Sequence, residues 1–159
     1  MQYLRMILCV AGITAADQLT KWMVVDKIPL YSQMEVLPGV LHLTYVRNTG
    51  AAFSMLNGMQ WLFALIFLAF TVALIWDMVK KSMPFTRLER WCLVCVYAGG
   101  LGNMIDRLRL GYVVDMIEVE FIRFPVFNVA DCFITCGSIL MVIHLVFFNK
   151  EFWKDEKKV

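Results

Sequence analysis

Charge is what this chain has least of. Asp, Glu, Lys and Arg make up only 18% of 159 residues, against about 25% in an ordinary soluble domain. Fifteen basic residues nearly cancel thirteen acidic ones, for a net charge of +2. With no basic patch interleaved with aromatics, that balance excludes a nucleic-acid-binding surface. Histidine is scarce too: His42 and His144 are the two present, and neither has a Ser or Cys at a spacing that would mark a nucleophile and its base. Metal-ligand sets are also missing. Cys92 and Cys95 have the spacing of a metal or redox pair, but they fall in an apolar helical run beside Leu93, Val94 and Val96. Zinc needs further ligands nearby, and none is apparent. These two, like Cys132 and Cys136, read as small buried hydrophobes, and no cofactor is expected. The chain shows no internal repeat, low-complexity tract or domain-separating linker, so residues 1–159 are expected to form a single domain.

Apolar residues are what it has in plenty: 60% of the chain, with a mean hydropathy of +0.67. A soluble domain carries about 45–50%, so this is a membrane protein. Four apolar segments can be drawn, at about Tyr3–Val25, Met59–Trp76, Trp91–Ile105 and Phe124–Asn149. A span needs about 20 mostly apolar residues, so the second and fourth are long enough. The third is short unless it absorbs residues at its ends, and Arg5, Asp17 and Lys21 interrupt the first. The first also mimics a secretory signal peptide, but its helical pattern continues through Leu19, Trp22, Met23 and Val24, which argues against cleavage. Nine Lys and Arg lie in the two tails and the loop after the second span, against six in the longer segments opposite. That bias predicts both termini in the cytoplasm.

Two aspartates stand out in this setting. Asp131, in Phe127-Asn128-Val129-Ala130-Asp131, begins an otherwise uncharged run continuing to Asn149. A carboxylate there needs a partner, water or a chemical task. Asp115, in Val113-Val114-Asp115-Met116-Ile117, lies where a loop could fold it onto the same outward-facing site. Two carboxylates held together share a proton and supply an acid and a base at once. On spacing alone, a helix cap and a solvated turn compete with that reading. Asp17 and Lys21, four residues apart, read first as an interfacial ion pair near a helix end. Gly99 and Gly102 share one helix face and suit close packing, while Asn103, Asp106 and Arg107 form a polar group at the outer end of the third span. Pro38-Gly39 marks a turn. After it Leu41, Leu43 and Tyr45 alternate with polar neighbours, as do Ile117, Val119 and Phe121. These two stretches are expected to pair as strands on the membrane surface.

Five blocks occur in order: Asp17-Gln18-Leu19-Thr20-Lys21, Asn48-Thr49-Gly50-Ala51-Ala52-Phe53, Gly99-Gly100-Leu101-Gly102-Asn103-Met104-Ile105-Asp106-Arg107, Val113-Val114-Asp115-Met116-Ile117 and Phe127-Asn128-Val129-Ala130-Asp131. Together they closely resemble the bacterial lipoprotein signal peptidases, also called signal peptidase II, over nearly the whole chain. The resemblance implies a membrane all-α fold of four transmembrane helices with a small extracytoplasmic β-cradle. It implies Asp115 and Asp131 as the catalytic pair of an aspartyl endopeptidase. Supporting or substrate-positioning roles fall by the same resemblance to Asp17, Lys21, Asn48, Gly102, Asn103, Asp106, Arg107, Asn128 and Ala130. The implied substrates are prolipoproteins bearing a diacylglyceryl-cysteine, met in the lipid of the bacterial cytoplasmic membrane by a monomeric enzyme. Cys132 departs from the family, where Ser is frequent. The competing function is a small proton-coupled transporter or channel subunit, with Asp17, Asp106, Asp115 and Asp131 as a relay. It would string carboxylates across the membrane depth, whereas here they cluster toward the outer side. A purely structural assembly protein would leave the paired aspartates unexplained.

Overall fold

The computed structural model describes residues 1–50 and 55–154. Residues 51–54 and 155–159 lie outside it, among them Ala51, Ala52 and Phe53 of the second block and Lys157 and Lys158 of the basic tail. Among the described residues, four helices and a three-stranded sheet follow in the order α1 (Gln2–Lys27), β1 (Gln33–Leu37), β2 (Leu41–Asn48), α2 (Gln60–Lys80), α3 (Arg87–Leu110), β3 (Val113–Val119) and α4 (Val129–Phe147). α2 and α4 are long and apolar enough to cross a membrane by length and composition. α1 and α3 are longer still, at 26 and 24 residues, but carry the charged residues that build the interior.

The third segment is not short. α3 runs from Arg87 to Leu110, about 36 Å at 1.5 Å per residue, because local signals at both ends extend it past its apolar stretch. Thr86 Oγ1 accepts the backbone N–H of Glu89, and Glu89 Oε2 accepts that of Thr86 at 2.7 Å, a closed capping box. Gly111 ends the helix at φ 81°, a left-handed conformation glycine adopts freely. The fourth segment is shorter than its apolar run. Phe124–Phe127 lies outside α4, and Asn128 caps the helix by accepting the N–H of Asp131 at 3.0 Å. Asp115 sits in a strand rather than a loop.

The sheet order is β1-β2-β3, antiparallel throughout. Leu43 pairs with Ile117 and Leu41 with Val119, joining the two alternating stretches as expected, and the Pro38-Gly39 turn closes β1 onto β2. β1 itself has no counterpart in the sequence reading. Its five residues are all exposed, and the short alternation Gln33-Met34-Glu35-Val36 records no buried face. Register fixes the two faces. Tyr45, Val114 and Met116 pack with Val24 of α1 and with Ile28 just past its end in a buried cluster. On the opposite face, Val46 stands across from Asp115 and Asn48 across from Val113, which makes Asn48 and Asp115 diagonal neighbours.

α3 is the hub: it packs most extensively against α4 and α1, and less against α2. Its glycines permit the approach. A Cβ on Gly99 would lie 2.4 Å from the Ala130 carbonyl oxygen, and one on Gly102 would lie 2.5 Å from Asp17 Oδ2. Gly102→Ala should therefore destabilise the protein by about 1–3 kcal/mol. Gly12→Ala, whose Cβ meets nothing within 4 Å, should not. Thermal unfolding of both variants in detergent checks this, and an unshifted midpoint for Gly102→Ala would contradict it.

Candidate active site

Asp115 and Asp131 reach one site from different elements, a strand and the first turn of a helix. Asp115 Oδ2 accepts Asn48 Nδ2 at 2.9 Å, and its Oδ1 accepts Asn128 Nδ2 at 2.7 Å. Asp131 Oδ1 accepts Asn103 Nδ2 at 2.7 Å, and its Oδ2 accepts the Asn128 backbone N–H at 3.2 Å. Asn128 thus touches both carboxylates, one through its side chain and the other through its main chain. It is fully buried and also holds Asn103 Oδ1 at 3.1 Å. Cap, scaffold and site contact coincide in one residue, a broader role than orienting the aspartates alone.

A second layer lies behind the first. Lys21 Nζ donates to Asp17 Oδ2 at 2.8 Å, Asp106 Oδ2 at 3.0 Å and Asn103 Oδ1 at 2.9 Å. An ammonium has three donors, and all are used. The pair is not interfacial: Asp17 is 0% exposed and Lys21 3%. Spacing of four showed that the two share a helix face, but not that α3 and α4 cover that face. Asp17 Oδ1 accepts the backbone N–H of Ala130 at 2.9 Å, tying α1 to the start of α4. Asp106 Oδ2 accepts the N–H of Val114 at 3.1 Å, fixing the strand residue before Asp115. Arg107 donates to the Gly50 carbonyl at 2.8 Å and lies 4.3 Å from the centre of the Phe63 ring, linking α3 to the outer segment and to α2. Gln18 was not singled out in the sequence. Its Nε2 donates to Asp106 Oδ1 at 2.9 Å and to the Gly102 carbonyl at 3.1 Å. An amide beside Asp17 in an apolar helix was the signal available.

The cysteines are free, and no described group of three His, Cys, Asp or Glu could hold a metal ion. Cys92 is buried as expected, but Cys95 and Cys132 are half-buried and Cys136 is exposed, because Cys132 and Cys136 line an open cavity. His144 meets Glu89 at 2.9 Å and His42 meets Glu120 at 3.4 Å, so each histidine is paired with a carboxylate other than Asp115 or Asp131.

The site opens into a cavity of about 420 Å³ in which Asp115, Asp131, Asn48, Asn103 and Arg107 face apolar walls from Phe124–Phe127 and α4. Burial pushes the Asp115 carboxyl up to about 6 from an ordinary 3.8. The hydrogen bonds from Asn48 and Asn128 and the charge of Lys21 oppose this, while the charge of Asp131 adds to it. A folded-state pKa above the unfolded one means that folding favours the protonated form. Its contribution to stability is present below 3.8 and is lost as pH rises through about 6. Asp115→Asn mimics the protonated form. The melting temperature of the wild type should therefore fall relative to that variant between about pH 4 and pH 6. Parallel curves would contradict the assignment.

Comparisons with known proteins narrow the class. Two solved structures, both described as bacterial membrane enzymes determined by the in meso method, superpose on this chain. One, at 2.3 Å resolution, gives a TM-score of 0.85 at 33% identity and covers 98% of this chain and 94% of its own. The other, at 1.9 Å, gives 0.80 at 33%, covering 91% and 94%. The family described as signal peptidase (SPase) II matches residues 9–147. Relatives called lipoprotein signal peptidase are similar at 45% identity in Streptococcus agalactiae, covering 89% of this chain and 87% of the relative. In Streptococcus pyogenes the identity is 42%, covering 91% and 90%. The fold and the likeness to these enzymes define a bacterial membrane peptidase. Within that class, the chain belongs to the signal peptidase II family.

Proposed function

We propose that this protein is an aspartyl endopeptidase that removes the signal peptide from diacylglyceryl-modified prolipoproteins, cutting just before the lipidated cysteine. The observation that carries the reading is the pair Asp115 and Asp131, held by Asn128 at the mouth of an apolar-walled cavity. In this mechanism one carboxylate is ionised and takes a proton from water as the water oxygen attacks the scissile carbonyl carbon. The other, protonated, donates to the carbonyl oxygen. Collapse of the gem-diol intermediate breaks the C–N bond: the proton gained from water passes to the departing cysteine amine, and one hydroxyl returns its proton to the carboxylate that had donated it, restoring the pair. The pair titrates jointly, so base and acid are roles of the pair. Asn48, Asn103 and Asn128 hold the carboxylates in place; Asp17, Lys21, Gly102, Asp106, Arg107 and Ala130 hold those holders.

The chain acts as one monomeric domain of four transmembrane helices, with both termini in the cytoplasm and the sheet on the outer face of the cytoplasmic membrane. α1 and α3 span despite their charges because Lys21 pairs with both Asp17 and Asp106 inside the bundle, away from lipid. Many outward side chains of α1 are large and apolar, including Leu4, Ile7, Leu8 and Trp22. A transporter is disfavoured because Asp17, Asp106, Asp115 and Asp131 converge on one end, while the buried Asp77 and Glu89 are paired separately with Arg90 and His144. The test is incubation of the purified protein with a diacylglyceryl-modified prolipoprotein. A product shortened by the signal peptide is expected, and an unchanged precursor would overturn the reading.

A further inference from the structure

The dyad has a second opening. A cavity of about 480 Å³ shares Asn48, Asp115 and Phe124–Val126 with the one described above, but contains no residue of α4. It is bounded by β2, β3 and the 123–126 segment, and two of its residues are Arg47 and Arg123. Asp115 is the sole carboxylate among its described residues. Arg123 is exposed and has no ion pair or hydrogen bond among the described residues. Arg47 is held in place: its Nε donates to Tyr45 Oη at 3.1 Å, and its guanidinium lies 4.8 Å from the centre of the Tyr112 ring. Among the described residues neither arginine hydrogen-bonds Asp115, whose oxygens accept from Asn48 and Asn128, which leaves the two arginines outside the machinery of the dyad.

The two cavities meet at Asp115, so a peptide crossing the dyad has one side in each. The first descends along α4 past Cys132, Thr135 and Cys136, where an apolar segment from the bilayer fits. The chain on the other side of the scissile bond must leave past Arg47 and Arg123. We propose that this second cavity receives the first few residues of the mature lipoprotein after its cysteine, and that Arg47 and Arg123 make the enzyme prefer acidic side chains there. The inference rests on the peptidase function proposed above. Guanidinium groups suit the task because their planar forks match a carboxylate.

Three lipidated precursors differing only at the second and third mature residues, with Asp, Asn or Lys in both places, test it. kcat/KM is measured in neutral and in anionic bilayers and normalised to the Asn precursor. The wild type should cut the Asp precursor about three- to fivefold faster than the Lys precursor, the size of an exposed charge pair. Arg123→Gln and Arg47→Gln should each shrink that ratio, and Arg123→Glu should invert it. Because the readout is a ratio, partial loss of folded enzyme does not move it. Equal cutting of all three by the wild type would overturn the preference and leave the peptidase function standing. Failure to cut any of them would overturn the function itself. Variants slowed equally on every precursor, and only in anionic bilayers, would assign the arginines to a lipid headgroup and overturn the proposal.

Discussion

Asp115→Asn and Asp131→Asn should each cut turnover on a lipidated prolipoprotein by at least about 100-fold, the low end for a general acid–base group. The structure also sets what the variants do to folding. Both oxygens of Asp115 accept side-chain amides, from Asn48 and Asn128, so an asparagine there must turn its own NH2 toward a donor. Against that loss, roughly 1–3 kcal/mol for an unmatched buried group, stands the removal of a charge that burial disfavours. The two oppose each other, and Asp115→Asn should remain folded. Asp131→Asn keeps an oxygen for the Asn128 N–H and so keeps the cap of α4. Monodisperse elution in detergent, alongside initial rates, separates the effects. Near-normal rates for either folded variant would contradict a shared catalytic role.

Lys21→Met should produce the largest loss of stability. Lys21 is the cation between Asp17 and Asp106, all three buried. Breaking such a buried pair by removing one member costs about 3–5 kcal/mol, since the carboxylates are left facing each other. The damage spreads because Asp17 holds the Ala130 N–H and Asp106 holds that of Val114, so α4 and β3 lose their tethers together. The yield of folded protein should collapse, while turnover per folded molecule falls much less. Asp17→Asn with Lys21→Met should recover part of the yield. Wild-type yield for Lys21→Met alone would mean that water reaches this cluster. Asn128→Ala, by contrast, should lower yield and turnover together, because the cap of α4 and the bond to Asp115 are the same side chain.

The aspartates were legible because an apolar chain makes every charge conspicuous, and the strand pairing because alternation records a buried face. Depth was not legible. Asp17 and Lys21 look alike at a membrane surface and in a bundle interior until the neighbouring helices are placed. The length of α3 was hidden by Arg87, Arg90, Arg107 and Arg109, whose charges resemble loop chemistry although the capping box and Gly111 set its ends. β1 left only the brief alternation Gln33-Met34-Glu35-Val36, because it is held by main-chain pairing to β2 and buries nothing. Asn128 gave away its place near Asp131 but not its double use, which depends on the fold bringing Asp115 to its side chain.

The most direct measurement is a quenched single turnover of a lipidated prolipoprotein in 18O-water, with intact masses read for enzyme and products. Attack by water at the Asp115–Asp131 pair requires an enzyme whose mass never changes and a released signal peptide carrying one 18O at its new carboxyl end. An enzyme transiently heavier by the mass of the signal peptide, or a signal peptide without label, would contradict it.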